Sequence, residues 1–263
     1  MSGEPVLYDV TEGVAVLTMN RPGNLNALSD AMMAALTESL AQAAQDDKAR
    51  VVVLRGTGKA FCAGHDLKEM QAARQAPDGG AAAFDDLFTR CSALMQSIPS
   101  LPKPVIAQVH GIATAAGCQL VASCDLAVAA EGTRFGVNGV NIGLFCSTPM
   151  VALSRNVPRK HAFEMLTTGG FIEAMRAREL GLINRIAPPE ALEAETMELA
   201  GTIAAKLGPA VRIGKRAFYE QMELPLAEAY AFTGAVMVEN MMLDDTNEGI
   251  NAFIEKRKPG WAQ

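Results

Sequence analysis

The stretch that decides the fold spans residues 104–120 and reads PVIAQVHGIATAAGCQL. Its first part, Pro104–Val109, is an apolar run of the kind found in strands that are buried on both faces of a sheet. The chain then turns at Gly111 and continues into Ala115–Ser123, which predicts a helix of unusually small residues. A buried strand that leads through a turn into a helix is typical of parallel α/β sheets, so we expect that fold class here.

The first 140 residues repeat this alternation of strand and helix signals. Ser29 is a candidate N-cap for a helix, and a second helical stripe runs from Leu87 to Ile98. Strand signals fade beyond Phe171, so we expect an α/β core over residues 1–199 and a helical region over residues 200–263. Three further apolar runs predict strands: Val14–Met19, Val51–Leu54 and Leu126–Ala129.

Composition and charge exclude several classes of protein. Hydrophobic residues make up 49% of the 263 positions and charged residues 20%, which excludes a disordered chain. The net charge of -6 argues against nucleic acid or an anionic membrane as the main partner, since both bind clustered positive charge. No run reaches the ~18 apolar residues of a membrane-spanning helix.

The cysteines and residues 1–5 are informative about the cellular compartment of the protein and about metal binding. Five cysteines, none in a Cys-x-x-Cys pair, predict reduced thiols, and residues 1–5 lack the basic and apolar parts of an export signal. We therefore expect a cytoplasmic protein. Cys62, His65 and Cys118 could be combined into a metal site, but the spaced pairs of zinc sites are missing, so we expect no metal.

Two turns marked by glycine carry the candidate chemistry, one in Phe61–Leu67 and the other in His110–Leu120. The first turn of a helix has backbone N–H groups without partners, and the helix dipole adds a partial positive charge there. A second N–H from the Gly64–His65 turn would complete a site with two donors for an oxyanion. The other interpretation is that small residues only permit close packing of helix and strand.

The order and spacing of these motifs resemble the crotonase (enoyl-CoA hydratase/isomerase) superfamily along almost the whole chain. This resemblance implies stacked β-β-α turns, a C-terminal helical trimerisation region, and a homotrimer or dimer of trimers. It also implies an acyl-CoA substrate of fatty acid metabolism, with coenzyme A as part of the substrate and no separate cofactor. The motifs that carry it are Asn20-Arg21-Pro22, Asn26-Ala27-Leu28, residues 61–67 and 110–120, Cys124-Asp125-Leu126, Arg134-Phe135-Gly136, residues 179–183 and the tail 253–261.

The resemblance also assigns roles to individual residues. The backbone N–H groups of His65 and Ala116 would form the oxyanion hole for the thioester oxygen, with the His65 side chain as a wall of the site. Asp66 is either structural or adjacent to the adenine. The residues expected to contact substrate or coenzyme A are Arg21, Ala27, Leu28, Ala63, His65, Asp66, Leu67, Lys68, Gly117 and Lys256.

Two departures from the family pattern limit what the resemblance implies about the reaction. In hydratases of this family two glutamates flank the double bond, and the matching positions here are Gln119 and Gly139. An amide can hydrogen-bond a water molecule but cannot take its proton at neutral pH, and glycine offers no side chain. General acid–base groups contribute typically ~10²–10⁴ to a rate, so a fast ordinary hydratase is not expected.

Cys146 and Ser147 are the candidate replacements, because other branches of the family, such as the chlorobenzoyl-CoA dehalogenases, carry a nucleophilic aspartate in this segment. A nucleophile needs a base, and neither residue has one beside it in sequence. The other interpretation is that Ser147 or Thr148 caps a helix whose first residue is Pro149.

A glycine at position 139 also resembles the naphthoate-synthase branch of the family. Some members of that branch bind bicarbonate in place of the missing glutamate carboxylate.

Residues 143–149 and 256–259 most resemble the enoyl-CoA hydratase domain-containing protein 3 subgroup of this family. We therefore expect an atypical, enoyl-CoA hydratase-like enzyme that stabilises the enolate of an acyl-CoA thioester. Decarboxylation, isomerisation and thioester hydrolysis would use the same oxyanion site and remain alternatives. Binding of acyl-CoA without catalysis is a further alternative of a different class.

Overall fold

A computed structural model describes residues 3–261 of the chain, which form two β-sheets surrounded by helices. Met1 and Ser2, on which the expectation about an export signal partly rests, lie outside the described residues. The strands are β1 Val6–Thr11, β2 Val14–Met19, β3 Val51–Gly56, β4 Val105–Val109, β5 Ile112–Thr114, β6 Leu126–Ala130, β7 Arg134–Gly136, β8 Phe171–Glu173 and β9 Arg185–Ala187.

The helices are α1 Asp30–Gln45, α2 Leu67–Ala73, α3 Ala81–Ser100, α4 Ala116–Ser123, α5 Pro149–Asn156, α6 Arg159–Thr168, α7 Ala174–Glu179, α8 Leu192–Ala204, α9 Gly208–Gln221, α10 Leu226–Met241 and α11 Asp244–Ile254. Short 3₁₀ helices span Pro22–Asn24, Asn138–Ile142 and Pro189–Ala191. None of the helices within residues 3–261 is both long and apolar enough to cross a membrane.

The larger sheet has the strand order β1-β2-β3-β4-β6-β9, and only the β1–β2 pair is antiparallel. This confirms the predicted, mainly parallel sheet. Its central strands are buried on both faces because a core lies on each side of the sheet, and successive side chains point alternately into one core and the other. In β3, Val52 and Leu54 face the main core, while Val51 and Val53 face a second core formed with α8.

The smaller sheet, β5-β7-β8, gives the fold its stacked β-β-α turns. Each turn places one strand in the larger sheet and the next in the smaller one, as β4 with β5 and β6 with β7 do. Two isolated bridges, Leu28 to His65 and Cys62 to Ala113, extend the smaller sheet toward the earlier turns. The residues of the predicted oxyanion site therefore lie along this second layer.

The sequence did not predict five of these strands, β1, β5, β7, β8 and β9, and the expectation that strands are absent beyond Phe171 is wrong. β9 joins the larger sheet through pairs such as Val128 with Arg185, and β8 pairs with β7 through Phe135 and Ile172. β5, β7, β8 and β9 have only three residues each. Runs this short show no alternation, and they are strands only because distant parts of the chain lie beside them.

The helices predicted from apolar stripes are confirmed. The Ser29 hydroxyl accepts a hydrogen bond from the Met32 N–H at 3.2 Å, as a helix N-cap does. The apolar face of α1 and the stripe from Leu87 to Ile98 on α3 are both buried in the main core. These two helices cover one face of the larger sheet, and α8 covers the other.

The proposed division at residue 199 falls within α8. Ala200 and Ala204, beyond that position, are buried against the larger sheet, so α8 belongs with the core. After α8 the chain forms only helices, α9, α10 and α11, within the described residues, which agrees with the expected C-terminal helical region. A buried ion pair ties α9 to the core: Lys215 Nζ lies 2.7 Å from Asp125 Oδ2.

Candidate active site

Two turns converge where α4 begins, and both depend on small residues. Gly64 has φ of +88°, and a Cβ atom placed on it would lie 3.0 Å from Ala115 Cβ and 3.4 Å from the Ala116 nitrogen. Ala115 itself has φ of +50°, which residues other than glycine rarely adopt. A Cβ on Gly117 would run into the Cys62 carbonyl oxygen. Close packing, one of the two interpretations of these small residues, is therefore required here.

The same geometry leaves the backbone N–H of His65 free. In its parallel bridge with Leu28, the Leu28 N–H donates to the Gly64 carbonyl at 2.7 Å, and the Leu28 carbonyl accepts from the Asp66 N–H at 3.4 Å. The bridge thus uses the residues on either side of His65, and its own N–H points away. Within residues 3–261 that N–H donates to no backbone acceptor.

The backbone N–H of Ala116 is free for a different reason. Ala116 is the first residue of α4, so no carbonyl lies one turn before it to accept its N–H. No backbone hydrogen bond from this N–H occurs in the described part of the chain. Two free donors on neighbouring turns, one at a helix N-terminus, can stabilise an oxygen atom that acquires negative charge.

The imidazole of His65 is a neutral part of the wall. Burial lowers its pKa to about 4, so the ring carries no charge at neutral pH. Nε2 is buried and has no hydrogen-bond partner among the described residues. The ring packs edge-on against Phe88, with 5.7 Å between centroids. An uncharged imidazole without a carboxylate partner agrees with its expected role as a wall.

Gln119 is the polar side chain on the same face of α4 as Ala116, since residues three apart on a helix are neighbours. It is 5% exposed, and its Oε1 has no hydrogen-bond partner in the described chain. A buried carbonyl oxygen without a donor costs free energy unless a water molecule or a ligand supplies one. Gln119 can therefore orient a bound molecule, but it cannot accept a proton from it.

Position 139 has no room for a side chain. A Cβ atom on Gly139 would lie 2.5 Å from the Leu144 carbonyl oxygen and 2.9 Å from Cys146 Sγ. Residues 144–146 thus occupy the space into which a glutamate would extend. The second carboxylate of the hydratase pattern is therefore absent in sequence and also excluded by packing in this structure.

The structure gives no support to Cys146 or Ser147 as a nucleophile. Cys146 is buried, and this burial raises the pKa of its thiol, so the reactive thiolate is disfavoured. Ser147 is exposed, and its hydroxyl donates at 3.4 Å to the Phe145 carbonyl rather than to a base. Thr148 occupies the N-cap position of α5, with Pro149 first in the helix as expected, but its side chain makes no capping hydrogen bond.

Some residues expected to contact coenzyme A have structural partners. Asp66 caps α2 by accepting from the Lys68 N–H at 2.8 Å, and it also accepts from Asn24 at 2.6 Å. The Arg21 guanidinium, also expected to contact coenzyme A, donates to the carbonyls of Gly3 and Glu4. Asp66 thus has the structural role that the sequence left open.

The remaining candidates differ in exposure. Leu67 and Lys68 are exposed, while Ala63 is partly buried. Ala27 and Leu28 are buried beside the His65 turn. Lys256 follows α11 and is exposed, and its side chain makes no hydrogen bond or ion pair with the rest of residues 3–261.

Asn26 has a structural role that sequence reasoning did not identify. It is fully buried, and its Nδ2 donates to the carbonyls of Thr57 and Ala60, both at 2.9 Å. Its Oδ1 accepts from the Arg21 N–H at 2.9 Å. One amide thus joins the segment before Leu28 to the segment before Phe61, and the asparagine of the Asn-Ala-Leu motif is the only sequence signal for it.

A cavity of about 110 Å³ adjoins the site between α2 and α3. His65 is one of its walls, and the same residue offers its backbone N–H to the candidate oxyanion site. Leu28, Met70 and Leu87 supply apolar surface. The sequence did not predict this cavity, because it depends on how α2 and α3 pack against each other and against Leu28 and Asp30 from an earlier part of the chain.

The cysteines and histidines do not form a metal centre in the described residues. No group of three or more His, Cys, Asp or Glu side chains in residues 3–261 is arranged to hold a metal ion. Cys62 and Cys118 are buried, and burial raises the pKa of each thiol to about 12. These thiols stay protonated at neutral pH, which opposes metal binding.

Comparison with known proteins identifies the family. The sequence matches the enoyl-CoA hydratase/isomerase family over residues 9–263. The chain belongs to this family. A solved enoyl-CoA hydratase from Mycobacterium smegmatis superposes with a TM-score of 0.94 at 54% identity, covering 98% of this chain and 99% of that one. The predicted crotonase fold is thereby confirmed.

The predicted subgroup of this enoyl-CoA hydratase/isomerase family is confirmed as well. Mouse enoyl-CoA hydratase domain-containing protein 3, mitochondrial, is 45% identical over 251 residues, which is 95% of this chain and 82% of the mouse protein. The structure of the human protein of that name superposes with a TM-score of 0.93 at 43% identity, covering 98% of this chain and 100% of that one.

The expectation of a cytoplasmic protein is wrong. Curated relatives at 44–46% identity, from mouse, rat, human, frog and zebrafish, are all named mitochondrial. The composition and the unpaired cysteines on which the expectation rested are equally compatible with other compartments that keep thiols reduced.

Proposed function

We propose that this chain is an enoyl-CoA hydratase-like enzyme that binds an acyl-CoA thioester and stabilises its enolate. The observation that carries this proposal is the pair of free backbone N–H groups of His65 and Ala116 on converging turns. Negative charge that develops on the thioester oxygen would receive two hydrogen bonds and the field of the α4 N-terminus. No cofactor is needed beyond the coenzyme A of the substrate.

Contacts to coenzyme A are proposed for the segments that surround this pair. Ala27, Leu28, Ala63 and Leu67 supply apolar or backbone surface beside the His65 turn. Lys68 and Lys256 are exposed cations available to phosphate groups. Gly117 permits close approach to the α4 backbone. We propose no phosphate contact for Arg21, because its guanidinium already binds the carbonyls of residues 3 and 4.

The reaction we favour is slow hydration of an enoyl-CoA, with Gln119 orienting the water. The buried, unpaired Oε1 of Gln119 supports this role, since it lacks a donor that a water molecule would supply. The site contains no carboxylate at position 119 or 139, so proton transfer would depend on water and the rate would be low. Binding of acyl-CoA without turnover is the alternative, favoured by the same missing carboxylates.

Substitutions at Ala116 test the oxyanion assignment. Ala116→Pro removes the N–H, and proline is well tolerated at the first position of a helix. We expect crotonyl-CoA hydration, followed by loss of enoyl absorbance, to fall about 10²–10³-fold, the usual cost of one oxyanion donor. Ala116→Gly is the matched control because it keeps the N–H. Equal turnover of the proline variant and wild type would refute the assignment.

Substitutions at Gln119 test the account of the reaction. Gln119→Glu adds a carboxylate without needing the space that position 139 lacks, and we expect it to raise the hydration rate at least about 10-fold. Gln119→Met fills the same volume without a proton acceptor and should not raise it. A wild-type rate equal to that of the glutamate variant would contradict the role of the missing carboxylate. Binding of butyryl-CoA, which has no double bond to hydrate, together with no turnover of crotonyl-CoA in any variant would favour the alternative.

A further inference from the structure

The cavity between α2 and α3 has a charged rim that distinguishes it from a purely apolar pocket. Four carboxylates line it: Asp30, Asp66, Glu69 and Asp86. Arg90 is the only cation among its lining residues. The side chains that line the cavity therefore carry four negative formal charges against one positive charge, and a further cation, Arg74, stacks on the ring of Phe84 without lining the cavity.

Hydrogen bonds within the rim fix these charges in place. Arg90 lies 2.7 Å from Asp30 Oδ1 and 2.7 Å from Asp86 Oδ2, so its guanidinium is already shared between two carboxylates. Glu69 Oε2 accepts from the Asp30 N–H at 2.9 Å, and Asp66 caps α2. No lining cation is left to pair with an incoming anion.

The interior of the cavity offers a carboxylate no cation. Its apolar surface comes from Leu28, Met70, Phe84 and Leu87. The imidazole of His65 is held neutral by its burial, so it adds no positive charge. A negatively charged group placed here would lose hydration and face an excess of like charge.

We propose that this cavity receives the acyl chain and selects uncharged acyl groups over acyl groups that end in a carboxylate. This inference rests on the proposed function, because His65 joins the cavity to the oxyanion site. The preferred substrates are simple aliphatic acyl-CoA esters, and dicarboxylic acyl-CoA esters are rejected. The carboxylate rim is then a specificity determinant of the site, acting through charge and not through contact with the reacting atoms.

The test compares the binding of valeryl-CoA and glutaryl-CoA, which have acyl chains of equal carbon number and differ in the terminal carboxylate. Dissociation constants are measured by calorimetry on the full chain at low and high salt. We expect glutaryl-CoA to bind at least about 10-fold more weakly at low salt. The difference should shrink at high salt because screening weakens charge repulsion at an open rim.

Two variants and a matched control distinguish the effect of the rim charges on binding from the effect of the net charge of the molecule. Glu69→Gln keeps an oxygen that can accept the Asp30 N–H, and Asp86→Asn removes one partner of Arg90; each should reduce the difference several-fold. Asp85→Asn removes a charge from the next residue of α3, which does not line the cavity, and should change the difference less.

The outcomes distinguish this inference from the function on which it rests. If the two esters bind equally tightly and neither rim variant changes their ratio, the charge selection is refuted while acyl-CoA binding stands. If neither ester binds, the proposed function is refuted and the selection with it. A difference that Asp85→Asn reduces as much as Asp86→Asn would overturn the role of the rim.

Discussion

At the scale of single residues, the two positions that depart from the hydratase pattern differ in kind. Gln119 keeps a polar side chain in a buried place where one of its atoms lacks a partner. Gly139 sits where the chain itself fills the space of a side chain. The first departure changes only the chemistry of a side chain, and one substitution can reverse it. The second cannot be reversed by one substitution, because residues 144–146 fill the space that a side chain at position 139 would need.

Position 139 should therefore resist even an added methyl group. We expect Gly139→Ala to destabilise the fold by about 1–3 kcal/mol, since its Cβ would lie 2.5 Å from the Leu144 carbonyl oxygen. Urea unfolding measures the change. Gly201→Ala, in α8 with nothing within 4 Å of the added Cβ, should instead stabilise by about 0.5–1 kcal/mol. Equal effects of the two substitutions would contradict the packing at position 139.

Burial of His65 should make stability depend on pH. Its pKa falls from 6.5 to about 4 on folding, so the unfolded chain binds more protons between those values. Stability is then full above about pH 6.5 and is lost as the pH falls toward 4, by up to about 3 kcal/mol. Urea unfolding at pH 7.5 and pH 5 should show a smaller difference in His65→Gln than in wild type or His110→Gln. The same difference in all three proteins would count against a buried, neutral His65.

At the scale of elements, α9 is held to the core by a buried polar network. Lys215 Nζ donates to Asp125 and to the carbonyls of Ile98 and Lys103, and Tyr219 donates to Asp125 Oδ1 at 2.7 Å. Burial lowers the pKa of Lys215, and the charge of Asp125 opposes that shift. The network explains why the Cys-Asp-Leu motif carries an aspartate between two apolar segments.

Removing the lysine should leave the carboxylate of Asp125 buried without its cation. We expect Lys215→Met to destabilise the fold by about 3–5 kcal/mol. Arg176→Met breaks the exposed pair with Glu179 and should cost less than about 1 kcal/mol. Thermal or urea unfolding of the two variants makes the comparison. A small loss for both would mean that α9 is held mainly by its apolar contacts.

At the scale of the whole molecule, the C-terminal helices expose several large apolar side chains. Met242 is 78% exposed and Phe253 84% exposed. Large exposed apolar patches mark surfaces that bind other proteins. We propose that α10 and α11 are covered by further copies of the chain, as a homotrimer or dimer of trimers.

Assembly should be visible in solution. Light scattering after gel filtration should give three or six times the 27.8 kDa of one chain. Phe253→Glu and Met242→Glu place charges on the proposed interface and should lower the measured mass. Leu7→Glu, at an exposed position of β1, is the control and should leave it unchanged. A wild-type mass of one chain would contradict the proposed assembly.

Much of the fold could be predicted because its central elements carry strong local patterns. β2, β3, β4 and β6 are continuous apolar runs, and α1 has both a cap and an apolar stripe, so local sequence specifies them. The three-residue strands could not be predicted, because their pairing depends on residues far away in the chain. Lys215 could not be distinguished from other lysines by sequence, since its role depends on where Asp125 lies in space.

The sequence alone determined the family, the mainly parallel sheet and the residue types at positions 65, 116, 119 and 139, because these follow from local pattern and motif order. Only the tertiary structure decided the surroundings of those residues. It leaves the N–H groups of His65 and Ala116 free, closes position 139 with residues 144–146, and occupies Arg21 with backbone carbonyls. The physical reason is that a free hydrogen-bond donor, a filled space or a balanced charge depends on which residues are neighbours in space. Residues that are far apart in the sequence become such neighbours only in the folded chain.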